Sequence, residues 1–251
     1  MLTVGPPCHP WVRCSSRGTG HSAAADRGRA RLDARIRRQY ETVCDTYRFG
    51  DLAVPLTRVV EPDEMLQRME VDAASGAVAT PRWQPYWAEL WGCSLAVCEV
   101  LAKQDLQGVR VLDLGCGLGL TGTVAAARGA RVILADAAPP ALLFARLNSW
   151  PYRDRVQVRL LDWRRDRLPD QFPWIVGADI LYDREDWPFL EAFWRWHLAP
   201  GGVVLLGEGG RSTGGEFPAW LGGRGWQWEC SQVAMPCHPR PVRLFQLRRQ
   251  E

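Results

Sequence analysis

Short apolar runs alternate with amphipathic stretches through the C-terminal two thirds of the chain. Five runs are apolar enough to be buried strands: 109–114, 131–136, 156–161, 174–179 and 203–207. Four stretches between them repeat apolar residues every three or four positions, as amphipathic helices do: 93–102, 120–128, 139–149 and 185–198. Strands that alternate with helices predict an α/β fold with a doubly wound, mostly parallel sheet.

The two ends of the chain follow different patterns. After a short helix at 217–221, residues 226–233 and 242–247 form a candidate hairpin, which predicts an antiparallel C-terminal edge to the sheet. Residues 1–25 show no hydrophobic period and predict disorder, whereas 26–47 look weakly helical. From residue 49, two short apolar stretches broken by prolines predict a small hairpin or an extended strand pair.

Charge is distributed unevenly along the chain. The net charge of +3 combines a +6 extension over residues 1–39, where eight Arg face Asp26 and Asp33, with a remainder of −3. An acidic body argues against nucleic acid as the substrate. We therefore divide the chain into a basic, disordered extension (1–39), a segment that packs on the main domain (40–92) and the main domain itself (93–251).

Other classes of protein lack their usual signals. The eight cysteines include no C-x-x-C pair, and the four histidines show no metal-ligand spacing, so no metal is expected. No apolar run reaches the roughly 18 residues that a membrane helix needs, so no membrane is expected. These features favour a cytoplasmic protein. The alternative is the mitochondrial matrix, if the Arg-rich N-terminus acts as a transit peptide.

The strongest chemical signal is a glycine loop, VRVLDLGCGLGLTG at 109–122, between a predicted strand and a predicted helix. Gly115, Gly117 and Gly119 let the backbone turn sharply and approach a ligand at the carboxyl end of the strand. Their G-x-G-x-G spacing differs from the usual dinucleotide fingerprint. Gly117, Gly119 and Gly122 do fit G-x-G-x-x-G, so the glycines alone leave NAD open.

Two aspartates flank this loop. Asp136 closes the next strand, 23 residues after Asp113, where an acid accepts hydrogen bonds from a ribose diol. Asp113, at the end of the first strand, places a carboxylate that repels a pyrophosphate and suits a ligand with a positive charge. This favours a cationic nucleoside, S-adenosylmethionine, over NAD.

Further motifs follow the predicted strands. The segment PYWAELWGCS precedes the glycine loop, Asp162-Trp163 follows the third strand, and D-x-x-Y from Asp179 to Tyr182 follows the fourth. With the loop LDLGCGLG, these residues resemble the seven-strand lysine methyltransferase family (methyltransferase family 16). The resemblance is nearest to the branch formed by the electron-transfer-flavoprotein β-subunit lysine methyltransferases and the bacterial relatives of these enzymes. It covers about residues 50–248 and implies a Rossmann-like seven-strand sheet and S-adenosylmethionine as cofactor.

The resemblance also implies roles for individual residues. Asp179 and Tyr182 are the catalytic candidates, which hold the incoming amine by charge and form an aromatic wall for it. The cofactor-binding candidates are Trp91, Asp113, Gly115, Gly117, Gly119, Asp136, Asp162 and Trp163. The substrate-binding candidates are Tyr86, Trp87, Glu208 and Arg211. Gly207 to Arg211 vary a family G-D-P-x-R segment, and Gly92 replaces a common proline, which weakens any transfer of substrate identity.

Three functions remain at this stage. The leading hypothesis is methylation of lysine side chains in a protein substrate, since no N-P-P-Y signature of DNA or glutamine N-methylation follows the fourth strand. An N-methyltransferase acting on small-molecule amines is the alternative on the same fold. The third is a cofactor-binding relative without catalysis, against which the D-x-x-Y motif argues.

Overall fold

A computed structural model of the protein describes residues 23–65, 67, 85–235, 238 and 240–250. Residues 1–22, which were expected to be disordered, are not among the described residues. Residues 68–84 of the expected packing segment are not among them either.

Nine strands and six α-helices make up the described chain. The strands are β1 (Thr42–Phe49), β2 (Leu52–Val59), β3 (Arg110–Leu114), β4 (Arg131–Asp136), β5 (Val156–Leu160), β6 (Phe172–Ala178), β7 (Leu198–Glu208), β8 (Trp226–Val233) and β9 (Val242–Arg249). The helices are α1 (Ala23–Arg37), α2 (Gly92–Leu101), α3 (Leu120–Ala127), α4 (Pro139–Asn148), α5 (Trp187–His197) and α6 (Ser212–Leu221). Short 3₁₀ turns lie at Pro85–Ala88, Trp150–Tyr152 and Arg184–Asp186.

Seven strands form the main sheet in the order β5-β4-β3-β6-β7-β9-β8. The five strands β3 to β7 pair in parallel, whereas β9 pairs antiparallel with β7 and with β8. The predicted α/β sheet with an antiparallel C-terminal edge is therefore confirmed. Strand order reverses between β3 and β6, and open sheets of this kind bind ligands at the carboxyl ends of the strands beside such a point.

Alternating residues of the central strands supply the two faces of the core. Val111 of β3 packs in a cluster with α2, α3 and α4, whereas Leu112 and Leu114 point into a second cluster. That second cluster is dense in aromatic rings, including Trp187 and Trp194 of α5, both fully buried. Both faces are covered, as continuous apolar runs in the strands require.

The N-terminal segment differs from expectation. Helix α1 falls within the expected disordered extension, yet its Ile36 is fully buried in the core. The expected helix to residue 47 is wrong beyond residue 37, because β1 and β2 form a separate antiparallel hairpin. Tyr47 and Phe49 bury their rings on the hairpin face, and aromatic residues in alternation favour a strand over a helix.

Asn148 joins this hairpin to the glycine loop. Its amide oxygen accepts a hydrogen bond from the Thr57 backbone N–H at 2.8 Å, and its amide nitrogen donates to the Thr57 carbonyl at 3.0 Å. The same nitrogen donates to the Leu118 carbonyl at 2.9 Å. One buried side chain therefore connects β2, the end of α4 and the loop after β3.

We expect Asn148→Asp to lower the free energy of unfolding by about 2–4 kcal/mol. The carboxylate would keep the bond from Thr57 N–H but face two carbonyl oxygens in a buried place, with no donor for either. Urea unfolding measures the change. Gln227→Glu, the same chemical change on an exposed strand residue, serves as the control and should stay within about 0.5 kcal/mol. Equal effects of the two variants would contradict the bridging role.

Candidate active site

A cavity of about 490 Å³ opens at the carboxyl ends of β3, β4 and β6, beside the point where strand order reverses. Ten of the fourteen residues proposed from the sequence line it: Tyr86, Trp87, Trp91, Gly115, Gly117, Asp136, Asp162, Trp163, Asp179 and Tyr182. The other four, Asp113, Gly119, Glu208 and Arg211, lie outside its lining. The topology thus gathers residues that are up to 96 positions apart in the chain, from Tyr86 to Tyr182.

Two positions of the glycine loop require glycine, because each combines a positive φ with a close contact. Gly119 has φ of 79° and begins α3, where an added Cβ would lie 2.9 Å from the Cα of Ala145. Gly117 has φ of 50°, and an added Cβ there would lie 3.2 Å from the Trp87 carbonyl oxygen. A side chain at either position would combine backbone strain with a close contact. The backbone of the loop therefore packs directly against Trp87 and Ala145, and Gly115 and Gly117 line the cavity.

Asp136 closes β4 and holds the loop in place. One carboxylate oxygen accepts from the Gly117 N–H and the other from the Ala138 N–H, both at 2.8 Å. Burial raises the pKa of this carboxyl, against the lowering effect of those N–H groups. Each oxygen keeps a second lone pair, and the residue lines the cavity, so it has acceptor capacity left for a ligand.

Asp113 lies behind the loop and not on the cavity wall, where a ligand-facing carboxylate was expected. It is buried, and one oxygen accepts from the Gly122 N–H at 2.8 Å and from the Thr121 hydroxyl at 2.5 Å. The other oxygen has no hydrogen-bond partner among the described residues. Asp113 therefore ties the end of β3 to the first turn of α3 and fixes the loop from within.

The loop after β5 forms a second wall of the cavity. Asp162 is committed to its own turn, because it accepts from Arg164 N–H at 3.0 Å and pairs with Arg165 at 3.1 Å. The indole N–H of Trp163 is buried and has no partner among the described residues. Arg164 spans the cavity edge to pair with buried Asp186, a contact that the sequence motifs did not reveal.

Asp179 sits at the end of β6 in a strained conformation. Its φ of 59° is the one positive value for a non-glycine residue in the described part of the chain. Strained residues of this kind concentrate at functional sites, where the surrounding structure holds them. Here the backbone N–H of Asp179 donates to the Gly207 carbonyl at 2.8 Å, and its carboxylate forms an ion pair with Arg211.

Arg211 lies between a carboxylate and an aromatic ring. Besides its pair with Asp179, its guanidinium lies 5.2 Å from the centre of the Trp91 ring. Burial lowers the pKa of Arg211, but pairing with Asp179 outweighs it and raises the pKa. Arg211 thus contacts two residues that line the cavity, Asp179 and Trp91, but does not line the cavity itself.

Glu208 supports this arrangement from below. The carboxylate is buried and accepts from the backbone N–H groups of Gly210 at 3.0 Å and Arg211 at 2.7 Å. It also pairs with Arg243 of β9 at 3.0 Å. The side chain fixes the segment after β7, and through it the position of Arg211.

Aromatic side chains frame the mouth of the cavity. Tyr86 and Tyr182 are both about two-fifths exposed, and their rings meet edge to face at 6.0 Å. Tyr86 also contacts Trp91, whose indole N–H donates to the Tyr86 carbonyl at 3.0 Å. Trp87 is different, because its ring is buried against Tyr40 and Phe144 and belongs largely to the core.

The cavity carries an excess of acidic groups. Its lining includes six carboxylates and one guanidinium, that of Arg164: Glu89, Asp136, Asp162, Asp179, Asp183 and Asp186. Sequence motifs missed Glu89, Asp183 and Asp186, although Asp183 and Asp186 directly follow the D-x-x-Y motif and were within reach of that signal. Burial raises the pKa of Glu89, with Asp63 adding to the effect. A site of this charge favours cationic ligands.

The described residues lack two features that other kinds of site require. No helix within them is long and apolar enough to span a membrane. No group of three or more His, Cys, Asp or Glu side chains among them is arranged to hold a metal ion.

Solved structures with the same architecture identify the fold. The N-methyltransferase NodS from Bradyrhizobium japonicum WM9, in complex with S-adenosyl-l-homocysteine, superposes with a TM-score of 0.55 at 18% identity, over 75% of this chain and 100% of NodS. The glycopeptide N-methyltransferase MtfA complexed with S-adenosyl-L-methionine gives 0.53 at 17% identity, over 62% and 93%. The protein therefore has the doubly wound fold of these methyltransferases.

The sequence assigns the family within that fold. The lysine methyltransferase family model matches residues 86–213, about half of the chain, and the protein belongs to this family. It is 39% identical over 129 residues to the protein N-lysine methyltransferase METTL21A of Danio rerio, which covers 47% of this chain. It is 35% identical over 146 residues to the electron transfer flavoprotein beta subunit lysine methyltransferase of Xenopus laevis, which covers 55% of this chain. Each match spans 58% of the relative's length.

The buried carboxyl of Asp113 gives a test by pH. Burial raises its pKa from 3.8 to about 6, although the bonds from Thr121 and Gly122 lower it. Between these values the folded protein binds a proton that the unfolded chain releases, so the free energy of unfolding falls as pH rises through this window. We expect wild type to lose about 2 kcal/mol more than Asp113→Asn from pH 4 to pH 6.

Urea unfolding at a series of pH values measures this difference. All other carboxyls titrate in both proteins, so the comparison isolates Asp113. Parallel pH profiles for the two proteins would contradict the assignment of a buried, proton-binding carboxyl at this position.

Proposed function

We propose that the protein transfers the methyl group of S-adenosylmethionine to a lysine amine of a protein substrate. The observation that carries this proposal is the acidic, aromatic-rimmed cavity beside the glycine loop in a member of the lysine methyltransferase family. Both the sulfonium cofactor and a lysine side chain are cations, and six carboxylates line the cavity that would receive them.

The residues present fit this cofactor. Asp136 has lone pairs free toward the cavity for ribose hydroxyls, and the backbone of Gly115 and Gly117 lines the cavity beside it. The unpartnered indole N–H of Trp163 lies beside the loop and Asp162, which supports a polar ligand group at that wall. When bound, the cofactor supplies an electrophilic methyl group on a positively charged sulfur.

Cofactor binding has a direct test in thermal unfolding. We expect S-adenosylmethionine or S-adenosylhomocysteine to raise the melting temperature of the wild-type protein by mass action. Asp136→Asn loses acceptor capacity for the ribose, so its ligand-induced shift should shrink even after its own lower starting temperature is taken into account. Asp154→Asn, an exposed aspartate distant from the loop, is the control and should keep the full shift. No shift at saturating ligand would refute the cofactor assignment.

The amine would lie against Asp179 and Tyr182. The Asp179 carboxylate offers charge at the cavity wall, where Arg211 pairs with its oxygen Oδ1 and a substrate amine would meet the side of the carboxylate that faces the cavity. Partial burial, together with Asp186 and Asp183, raises the pKa of Tyr182 to about 12, so this phenol stays neutral and acts as an aromatic wall. Holding the amine in line with the methyl group and excluding water are the main tasks of these residues.

The variant Asp179→Asn distinguishes a role of Asp179 in methyl transfer from a role in folding. Asparagine tolerates positive φ almost as well as aspartate, so the backbone should survive while the charge is lost. We expect methyl transfer to fall by about 100-fold or more, with the cofactor-induced thermal shift retained. Asp154→Asn again serves as the control. Transfer at the wild-type rate would overturn the role of Asp179.

The class of substrate can be identified from which products of a host lysate acquire a labelled methyl group. Methyl-labelled S-adenosylmethionine and a host lysate are incubated with wild type and with Asp179→Asn, and the products are separated into proteins and small molecules. We expect label on lysine of protein, present with wild type and absent with the variant. Label confined to metabolites would support the alternative, an N-methyltransferase acting on small-molecule amines.

A further inference from the structure

A groove of about 560 Å³ lies on the edge of the main sheet, away from the acidic cavity. We call it the arginine groove, because Arg146, Arg153 and Arg159 line it together with Trp150 and Val158. It runs between the end of α4 and strand β5, which is the last strand of the sheet on this side. None of its residues belongs to the site described above.

The three arginines of the groove carry uncompensated charge. None of them forms an ion pair with an acidic group of the described residues. Arg153 instead donates to the Trp150 carbonyl at 3.4 Å, and Arg159 donates to the Gln157 side chain at 3.0 Å. Around the active cavity, by contrast, Arg164, Arg165 and Arg211 all pair with aspartates. An unpaired, half-exposed guanidinium keeps its capacity to bind an external carboxylate or phosphate.

Helix α1 extends this charge along the groove. Gly28 packs on the Trp150 ring, so closely that an added Cβ would lie 3.0 Å from it. Arg31 and Arg35 lie three and seven positions after Gly28, on the same side of the helix, and both are exposed. The two aspartates of α1 lie on its other side, where Asp33 pairs with Arg37. The helix therefore adds positive charge to the groove without adding acid.

The geometry of Trp150 bears on the partner. Single-stranded nucleic acids bind basic grooves by stacking bases on exposed aromatic faces. Here Gly28 covers part of the ring, and the Arg153 guanidinium lies 5.8 Å from its centre. Trp150 thus supports the arginines and leaves little face for a base.

The strand beside the groove favours a polypeptide. Among the described strands, β5 pairs with β4 alone, so its outer edge presents backbone N–H and C=O groups. Leu160, at the end of β5, is 61% exposed. Extended peptides bind such edges by adding a strand, while their side chains contact flanking groups.

We propose that the arginine groove and the β5 edge bind an extended, acidic segment of a partner protein. Its backbone would pair with β5, its Asp and Glu side chains would meet Arg146, Arg153 and Arg159, and an apolar residue would cover Leu160. β5 leads directly into Asp162 at the active cavity, so a segment bound here lies on the same flank as the site.

A fluorescent peptide in which Glu alternates with Val tests the charge, with a Gln-for-Glu peptide and an oligouridylate as comparison probes. We expect the acidic peptide to bind at least about tenfold more tightly than the Gln peptide, with an affinity that falls as salt rises. The triple variant R146Q/R153Q/R159Q should lose about tenfold in affinity. Equal binding of the two peptides, or no loss in the variant, overturns the proposal. Tighter binding of oligouridylate also overturns it, in favour of nucleic acid.

The matched control is R167Q/R248Q/R249Q. It removes the same charge from exposed arginines on other surfaces that form no ion pair with the residues that the structure describes. It should keep its affinity for the acidic peptide, and an equal loss there would reduce the effect to net charge and refute a specific groove. Amide hydrogen exchange tests the strand pairing separately. Backbone amides of Val156–Leu160 should gain protection on peptide binding, and unchanged exchange there would refute addition at the β5 edge.

Discussion

Two carboxylates at neighbouring strand ends hold the backbone of the glycine loop, and the rest of the site depends on that restraint. Asp136 accepts from the N–H of Gly117, and Asp113 accepts from the N–H of Gly122. A loop with three glycines at positive φ has many conformations open to it in the unfolded chain, so its fixed shape needs such partners. Once it is fixed, the loop lines the cavity. Its Leu118 carbonyl accepts a hydrogen bond from the Asn148 side-chain amide, which also connects the N-terminal hairpin to this network.

The burial that makes these restraints effective also changes their chemistry. Desolvation raises the pKa of both aspartates, most for Asp113, whose second oxygen has no partner among the described residues. Burial therefore makes the folded protein more stable when Asp113 holds a proton, although its bonds from Thr121 and Gly122 favour the ionised form. Asp136, in contact with the cavity, keeps capacity to accept from a ligand. Two similar residues at neighbouring strand ends thus have different tasks because one faces the cavity and the other faces the core.

Charge is separated across the molecule. Carboxylates gather around the cavity, where a cationic cofactor and a cationic amine are proposed to bind, whereas exposed arginines gather on one side of α1 and along the arginine groove. The small net charge of +3 conceals both regions. A partner whose lysine enters the cavity while an acidic segment lies on the flank would be oriented by both fields at once, which favours correct encounter over tight contact.

The sequence alone determined the order of strands and helices in the main domain, because buried strands and amphipathic helices leave a clear period in the hydrophobic positions. It also identified the glycine loop and ten residues of the cavity lining, since parallel strands bring their carboxyl ends, and the motifs that follow them, to one edge of the sheet.

Tertiary structure alone decided which way each polar side chain faces. Asp113 and Glu208 carry the same sequence signals as ligand-binding acids, yet they hold backbone N–H groups inside the fold. Most of helix α1 lies in the stretch whose pattern is weakly helical, but its many charges hide the buried anchor at Ile36, so the sequence placed it in a disordered extension. The ion pair between Asp179 and Arg211 joins residues 32 positions apart. Such contacts depend on how separate elements pack, and no local pattern in the chain records that packing.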